Sequence, residues 1–437
     1  MIHKTIWAGV AVSIIVFSAN ADWPQFQGPN RDGIATDKVK LADAWPTNGP
    51  TVLWQNEKLG TGYGGAAIEG GKVYVLDRVN DRQDVLRCLA LATGREEWTY
   101  AYDAPEDVQN EPAKGKFKGN YNGSRNVPAI DLKNVYTLGP FGDLTCVDKN
   151  SHKPVWSVNL ITTYGVALGN WGICQSPVLY KNAVIVAPLS TQAGVVAFDK
   201  TTGHELWKSE PIGDITWTSP AVSTVNGVDQ IVILCNRNEP HLTGIDAVTG
   251  KKLWSYNGWK CPNPIATHTD CGNGQFFVTG GYRSGCALIK VALDGGMWKV
   301  QELFKSKECG AQACKPIFYQ NHIYAVSNDA ETSGQGNGLM CLGITGPDQA
   351  KLLWKASSSN ISEIGSILIA DGKIYNFLSE QGILRMAKAD PSDFKQLGSA
   401  KITQGVNMWA PMAFSNGKLI VRNKRTLICL DILAAGQ

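Results

Sequence analysis

The chain has 437 residues, of which 43% are hydrophobic and 46 are glycines, so it is a globular chain with many turns. Its formal net charge is only +3, which gives no electrostatic reason to expect nucleic acid or an anionic membrane surface as partner. Length alone would suggest two or three domains.

The first 21 residues have the pattern of a secretory signal peptide. A basic start at Lys4 precedes an apolar run over 6–17, and Ala19-Asn20-Ala21 is a cleavage pattern of small residues. The run is too short to span a bilayer comfortably, and no other segment reaches the roughly 20 apolar residues of a spanning helix. Asp22, not Cys, follows the cleavage site, so no lipoprotein anchor is expected. We therefore expect an exported protein, periplasmic or extracellular, without a membrane span.

Residues 22–50 are predicted to form an extended segment ahead of a domain that covers 51–437. That domain is built on one repeated phrase: "CLALATGREEW" at 88–98, "CVDKNSHKPVW" at 146–156, "AFDKTTGHELW" at 197–207 and "GIDAVTGKKLW" at 244–254. Each unit has a short strand after Pro or a small residue, a turn such as Asn-Gly, an apolar strand, a third strand into the phrase and a fourth that carries Trp. Four antiparallel strands repeated with little helix are typical of propeller blades.

Eight such units can be counted along the chain. Their first strands are expected near Ala66, Val127, Val178, Ala221, Ile265, Ile317, Ile367 and Met412. The last unit ends at "LICLDIL" without a Trp strand, whereas "TVLWQNEKL" from Thr51 is a spare one. The sequence thus predicts an all-β, eight-bladed β-propeller of four-stranded antiparallel blades, closed by an N-terminal strand in which Trp54 completes the last blade.

The phrase is predicted to be scaffold. Gly94, Gly203 and Gly250 suit a turn with positive φ, and the Asp and Thr side chains can cap backbone groups there. Each Trp can pack on the neighbouring blade. The docking residues are expected to be Trp54, Trp98, Trp156, Trp207, Trp254 and Trp354, with Trp298 or Phe304 in blade five and only Phe394 in blade seven.

Eleven cysteines in an exported chain would ordinarily suggest disulfides. Four of them, Cys88, Cys146, Cys341 and Cys429, share one position of the repeat that Ala197 and Gly244 fill in other copies. A position that accepts Ala, Gly and Cys is predicted to be small and buried, with the thiol free. The pairs Cys261 with Cys271 and Cys309 with Cys314 are close enough in sequence to form disulfides.

These residues carry a family resemblance. The phrase resembles the tryptophan-docking repeat of pyrroloquinoline-quinone-like β-propellers, from about Thr51 to the C-terminus. "DWPQFQGPNRDG" at 22–33 resembles the opening of exported bacterial quinone-like propeller-repeat proteins, as do "YTLGPFGDLTCVD" at 136–148 and "NWGICQSP" at 170–177. For an active quinoprotein alcohol dehydrogenase, the resemblance implies a calcium site of Glu, Asn and Asp, a catalytic Asp and usually an adjacent Cys–Cys disulfide. No two cysteines are adjacent here, and no catalytic or metal-binding residue can be carried over.

The loops that enter the innermost strands gather at one mouth of the central channel, and a binding site is expected there. The candidate ligand-binding residues there are Tyr63, Arg125, Trp171, Gln175, Trp217, Glu363 and Trp409. The three tryptophans do not belong to the phrase, and they either stack on a ligand or plug the mouth by packing on each other. Arg125 either holds a carboxylate or pairs with Glu363. For His268, close to Asp270, a structural or solvated role is favoured over a metal site.

The leading interpretation is a non-catalytic exported propeller that acts as a protein- or glycan-binding scaffold, a monomer without a cofactor or metal. Its resemblance to the propeller component of the outer-membrane barrel-assembly machinery makes the scaffold role concrete, although the lipid-anchor Cys is missing. The alternative is an oxidoreductase that uses pyrroloquinoline quinone with calcium on alcohols or sugars. A carboxylate–Asn cluster at the mouth would favour the alternative.

Overall fold

The computed structural model describes residues 22–104, 123–169, 171–237, 239–328, 338–346, 349–356, 365–405 and 409–434. Within them the chain forms an eight-bladed β-propeller in which every blade is an antiparallel sheet of four strands. No helix in these ranges is long and apolar enough to cross a membrane. The predicted signal peptide lies outside the described residues.

The first four blades follow one another along the chain. Blade one comprises β2 to β5, blade two β6 to β9, blade three β10 to β13 and blade four β14 to β17. Strand β1 precedes blade one in the chain but belongs to the sheet of blade eight. The bounds are β1 Thr51–Asn56, β2 Ala67–Glu69, β3 Lys72–Val79, β4 Gln83–Ala90, β5 Glu96–Asp103, β6 Ala129–Ile130, β7 Asn134–Leu138, β8 Asp143–Asp148, β9 Pro154–Asn159, β10 Val178–Tyr180, β11 Ala183–Val186, β12 Val196–Asp199, β13 Glu205–Lys208, β14 Ala221–Val225, β15 Val228–Cys235, β16 His241–Asp246 and β17 Lys252–Tyr256, with a short helix α1, Leu160–Tyr164, between blades two and three.

The other four blades repeat the pattern, with β18 to β21 in blade five, β22 to β25 in blade six, β26 to β29 in blade seven and β30 to β32 in blade eight. The bounds are β18 Thr269–Asp270, β19 Gln275–Gly280, β20 Gly285–Asp294, β21 Met297–Ser306, β22 Ile317–Tyr319, β23 His322–Ser327, β24 Gly338–Gly343, β25 Leu352–Lys355, β26 Gly365–Ala370, β27 Lys373–Leu378, β28 Ile383–Lys388, β29 Gln396–Lys401, β30 Ala413–Ser415, β31 Lys418–Asn423 and β32 Thr426–Asp431. The predicted start of blade five was wrong by a few residues, because its first strand begins at Thr269 rather than near Ile265.

The closure of the ring is confirmed. Strand β1 pairs antiparallel with β32, and Trp54 lies opposite Cys429. The first strands of neighbouring blades contact one another around the axis, β2 with both β6 and β30, for example. The first strand of each blade therefore lines the central channel, and the fourth forms the outer edge. Strand β1 supplies the outer, fourth strand of blade eight, so β32 is not left as an unpaired edge.

The blade seams are made by the docking residues of the phrase. A Cβ atom added to Gly203 of blade three would lie 2.6 Å from the ring of Trp156, which belongs to blade two. The φ of Gly203 is +73°, so both the contact and the turn require glycine. Trp54 contacts Gly94 and Trp207 contacts Gly250 in the same way. In blade two the position is taken by His152, at φ +59°, whose ring stacks on Trp98 at 4.7 Å.

Two seams depart from the phrase. In blade five, Phe304 lies opposite Leu288 just before the strand bulge, which is the register that Trp98 has opposite Cys88 in blade one. Phe304, not Trp298, therefore replaces the docking Trp. In blade seven Gly398 has that register.

The prediction that Phe394 serves blade seven was wrong. Phe394 packs against Trp354 of blade six, with the ring centroids 5.5 Å apart. The missing indole comes from the N-terminal segment, where Trp45 lies over Gly398 and 6.2 Å from the ring of Tyr375. Because Gly398 has no side chain, the docking position of blade seven leaves a space, and Trp45 fills it.

The Asp-x-x-Thr-Gly part of the phrase forms a capped turn. Asp199 Oδ1 accepts hydrogen bonds from the backbone N–H groups of Thr201 and Thr202, both at 2.9 Å, and from the Thr202 hydroxyl. Asp246 does the same for Val248 and Thr249. The N–H of Thr202 lowers the pKa of Asp199, because the bond favours the charged carboxylate. The phrase is scaffold, as predicted.

All eleven cysteines are free thiols, and ten of them are buried. The four in the repeated position are in the core, and burial raises the pKa of Cys88 to about 11. The two suggested disulfides, Cys261 with Cys271 and Cys309 with Cys314, are absent. These thiols instead behave as small apolar side chains inside the blades.

Residues 22–37 fill one end of the central channel. The segment forms isolated bridges to blade one at Trp23 and to blade seven at Ile34. Between them, the guanidinium of Arg31 donates to the carbonyl oxygens of Pro177 and Pro220, in blades three and four, at 3.2 and 3.0 Å. Because this plug touches blades far apart in sequence, it ties the first strands together from inside the ring.

Candidate functional site

The mouth cavity lies where the loops that enter the innermost strands meet, and its volume is about 340 Å³. That size is at the lower end of the range of small-molecule sites. Its polar lining includes Arg125, Ser176, Ser219, Thr267 and Gln312. Its walls are aromatic: Phe26, Tyr63, Trp171, Trp217, Tyr282 and Trp409.

The three tryptophans outside the phrase are brought together in this one cavity. Trp171 and Trp217 form an edge-to-face pair, with centroids 4.5 Å apart and planes at 64°. Trp409 stacks on Tyr63, with centroids 5.6 Å apart. Each of the four residues precedes the first strand of its blade, which explains their convergence on the channel axis. The rings form two pairs around a cavity, so mutual packing and an open mouth coexist.

Hydroxyl groups of three consecutive blades form a ladder on the cavity wall. The backbone N–H of Val127 donates to Ser176 Oγ, that of Ser176 to Ser219 Oγ, and that of Ser219 to Thr267 Oγ1, each at 2.9 Å. Every oxygen in the ladder therefore already accepts a bond, which leaves the hydroxyl hydrogen to be donated. The three side chains are buried and line the cavity.

One wall group is a buried donor without an acceptor. The Trp217 side chain is 5% exposed, and its indole Nε1 has no hydrogen-bond partner in the described part of the chain. An unsatisfied buried N–H costs about 1–3 kcal/mol, so native proteins retain few of them. The hydroxyl ladder gives the cavity wall donors for a ligand that carries acceptor oxygens.

Arg125 lies beside these rings, as predicted. Its guanidinium donates to the carbonyl of Gly123 at 2.9 Å and lies 5.4 Å from the centre of the Tyr63 ring. Burial lowers the pKa of Arg125. Cys174 also lines the cavity, and burial raises the pKa of its thiol to about 11, so it is protonated at neutral pH.

One predicted residue, Gln175, does not join the group. The carboxamide of Gln175 bonds both backbone groups of Ala187, donating at 2.6 Å and accepting at 2.7 Å, and it does not line the cavity. Gln175 fixes the loop that carries Trp171. Glu363 lies outside the described residues. Sequence reasoning missed Phe26 and Tyr282, because neither precedes a first strand; only proximity to the mouth in three dimensions identifies them.

The floor of the cavity is connected with the plug. Phe26 lines the cavity, and Arg31 follows it into the channel beside Lys315 and His268. Burial lowers the pKa of Arg31 to about 9 and that of Lys315 to about 8. Burial, with the charges of Lys315 and Arg31, lowers the pKa of His268 to about 3, so this ring is neutral at neutral pH. Neither ring nitrogen of His268 has a hydrogen-bond partner among the described residues.

The donor set does not fit calcium with a quinone. Calcium takes six to eight oxygen ligands, several of them carboxylates. Among the described residues, the cavity lining contains no Asp or Glu, and no group of three or more His, Cys, Asp or Glu side chains is placed to hold a metal. The aromatic walls alone suit the flat face of a planar molecule.

Comparison with known proteins identifies relatives of the fold. A family model described as outer membrane protein assembly factor BamB matches residues 85–258 and 140–397. No curated protein matches the chain.

Three solved structures are similar over most of their length. BamB from Moraxella catarrhalis has a TM-score of 0.59 at 12% identity, over 87% of this chain and 99% of that one. A quinohemoprotein alcohol dehydrogenase from Comamonas testosteroni has a TM-score of 0.61 at 13% identity, over 95% and 81%. A europium-containing methanol dehydrogenase has a TM-score of 0.62 at 12% identity, over 94% and 89%. At such identities the likeness concerns the fold alone.

Proposed function

The chain belongs to the pyrroloquinoline-quinone-like β-propeller family whose model is described as outer membrane protein assembly factor BamB, and on that basis we propose that it is an exported, non-catalytic scaffold. It binds a protein or a glycan of the cell envelope, or outside the cell, through the mouth cavity. The expected location is the periplasm or the extracellular space, and the expected form is a monomer without a cofactor.

The observation that carries the proposal is the aromatic mouth with its unsatisfied donor. Two aromatic pairs surround a cavity of about 340 Å³, and the buried indole N–H of Trp217 has no partner in the described residues. A scaffold residue would be expected to satisfy this donor, as Trp156 does by donating to the Lys200 carbonyl at 3.0 Å. A bound partner that supplies an acceptor oxygen would remove the cost.

The alternative is a quinone-dependent oxidoreductase acting on alcohols or sugars, and the aromatic walls favour it by suiting a planar cofactor. The chain's own residues would bind and orient such a group: the two aromatic pairs on its faces and Arg125 at its edge. The test adds pyrroloquinoline quinone and calcium to purified protein and follows absorbance and dye reduction over a panel of alcohols and sugars. Turnover would replace the scaffold proposal, whereas neither binding nor turnover would remove the alternative.

The scaffold proposal is tested with Trp171→Ala, Trp217→Ala and Trp409→Ala combined in one variant. Capture of partners from the native envelope is expected to be lost, because the variant removes three of the six rings that line the cavity. Thermal unfolding is measured in parallel, and capture is assayed well below the midpoint, which is expected to fall because Trp217 is buried.

The matched control replaces two tryptophans at seams, Trp98→Ala and Trp207→Ala. It is expected to lower the unfolding midpoint while the remaining folded protein still captures partners. Recovery of the same partners by the triple mouth variant would mean that the cavity is not the binding face.

A further inference from the structure

A second cleft adjoins the mouth cavity, and the two share Tyr282. The cleft has a volume of about 650 Å³ and is formed by three separate stretches of blade five and the loop that precedes it, at 258–262, 282–286 and 305–307. Trp259 lies at its base, and Tyr282 stands between the cleft and the cavity. The two sites therefore form one continuous surface at the mouth.

The cleft is strongly basic. Lys260, Arg283, Lys305 and Lys307 line it, and no Asp or Glu does so among the described residues. One acidic neighbour, Glu302, pairs with Lys305 at 3.3 Å. Lys307 donates to the backbone carbonyl of Arg283 at 2.8 Å, which fixes its ammonium group beside the guanidinium. Like charges held together raise the local concentration of anions.

The turn that carries Tyr282 and Arg283 has a backbone conformation that these two residue types rarely adopt. The two lie in the hairpin between β19 and β20, closed by a bond from Ser284 N–H to the Gly281 carbonyl at 3.2 Å. Their φ values are +59° and +57°, the region that such hairpin turns normally fill with Asn, Asp or Gly. Retaining Tyr and Arg there costs free energy, and the gain is an exposed ring and a guanidinium at the border of the two sites.

We propose that the cleft and the mouth cavity together bind a segment of an acidic polysaccharide whose sugar rings carry carboxylates. This deepens the proposed function and rests on it. The basic side chains of the cleft pair with the carboxylates, Tyr282 lies on a sugar face, and the next ring enters the aromatic cavity. There the hydroxyl ladder and the Trp217 indole donate to its oxygens.

Hydrogen-bond chemistry favours a polysaccharide over an acidic peptide. An extended peptide presents one backbone N–H per residue, and each needs an acceptor when it is buried. The polar wall groups of the cavity are mainly donors: the Trp217 indole, the ladder hydroxyls and Arg125. A polysaccharide brings ring and carboxylate oxygens that only accept hydrogen bonds, and hydroxyl groups that can both accept and donate, which matches the hydroxyls of the ladder.

The experiment measures quenching of tryptophan fluorescence, supported by calorimetry, with three probes: hexagalacturonate, its full methyl ester and hexaglutamate. Hexagalacturonate is expected to bind, and to bind more weakly as salt is raised, because the exposed charges are screened. The methyl ester is expected to bind about tenfold or more weakly, since it lacks the carboxylates. Hexaglutamate, which has the charge without the sugar rings, is expected to bind at least tenfold more weakly than hexagalacturonate.

Two charge variants distinguish binding in the cleft from a general effect of net charge. Lys260→Glu, Arg283→Glu and Lys305→Glu together are expected to weaken hexagalacturonate binding about tenfold or more. The matched control, Lys38→Glu, Lys58→Glu and Lys133→Glu, changes the net charge equally at exposed sites elsewhere on the ring and is expected to bind like the parent. Circular dichroism confirms that both are folded.

Several results would overturn the inference: no binding of hexagalacturonate, equal binding of the methyl ester or of hexaglutamate, or equal weakening by both charge variants. The failure of the proposed function looks different. If envelope capture still depends on the three mouth tryptophans while hexagalacturonate does not bind, the scaffold proposal stands and only the polysaccharide is excluded. If capture is independent of those tryptophans, both proposals fall.

Discussion

Three tryptophans at the seams and Trp217 at the mouth differ in whether the indole N–H group has a hydrogen-bond partner. At the seams, Trp54, Trp156 and Trp354 donate to backbone carbonyls of the next blade at 2.8, 3.0 and 2.7 Å. At the mouth, Trp217 is buried, and its N–H has no partner in the part of the chain that the structure describes. The three seam tryptophans have their hydrogen-bond acceptor within the fold, whereas Trp217 has none among the described residues.

The difference separates scaffold from site in a repeat protein. A seam tryptophan serves the same purpose in most blades, so it recurs at a fixed offset in the repeat. For Trp217 at the mouth, we expect a bound partner to supply the hydrogen-bond acceptor. Trp45 is the exception among seam residues: it comes from the N-terminal segment, and its indole N–H has no partner in the described residues. It fills the space over Gly398 without reproducing the bond.

The largest expected effect is at the seam that closes the ring. Trp54→Ala removes a buried ring that touches Gly94 and donates to the Leu91 carbonyl. We expect a loss of about 3–5 kcal/mol in the free energy of unfolding, measured by urea denaturation. Trp171→Ala at the mouth is the matched control and is expected to cost much less. An equal loss from both would erase the distinction between the two sets.

An effect of intermediate size is expected at low pH, where protonation of His268 in the channel lowers the free energy of unfolding. The pKa of His268 is lowered from 6.5 to about 3 in the folded state. The neutral ring therefore contributes its full stability above pH 6.5, and this contribution is lost at about 1.4 kcal/mol per pH unit as the pH falls towards 3. At pH 5 the loss is about 2 kcal/mol.

His268→Phe is expected to remove that loss, so the difference in unfolding free energy from the parent should grow in favour of the variant between pH 7 and pH 4. Parallel pH profiles for the parent and His268→Phe would contradict the burial of a neutral imidazole in the channel.

The smallest expected effect compares the same substitution in both sets. Trp156→Phe loses the bond to the Lys200 carbonyl and is expected to cost about 1 kcal/mol. Trp217→Phe removes a donor that has no partner and is expected to leave thermal stability unchanged or slightly higher, while partner binding weakens. A loss of stability at Trp217 equal to that at Trp156 would show that its N–H is satisfied within the fold.

The sequence predicted the seams and the mouth tryptophans well because both follow from position within a repeat. The offset of Gly203 and Trp207 in the phrase identified docking, and the position just before a first strand identified Trp171, Trp217 and Trp409. The same rule included Gln175, whose carboxamide turns back to Ala187. Position along the chain does not determine side-chain direction.

The remaining features depend on contacts between distant segments. The plug joins Arg31 to Pro177 and Pro220, and Trp45 lies on Gly398, more than 140 residues away in each case. The basic cleft collects Lys260, Arg283 and Lys305 from three stretches, none of which is notable alone. Local patterns carry no signal for such pairings, because the register between a loop and a remote blade is set by packing.

The most direct test of the account is photo-crosslinking in the native envelope from two positions. A photoreactive phenylalanine analogue at position 282 lies between the mouth cavity and the basic cleft, and one at exposed position 206 lies on the outer strand β13 beside a seam. Specific adducts are expected from position 282 and none from position 206, and the adducts from 282 are expected to be lost when Trp171, Trp217 and Trp409 are replaced by Ala. Adducts from position 206 alone, or adducts from 282 that persist in the triple variant, would contradict it.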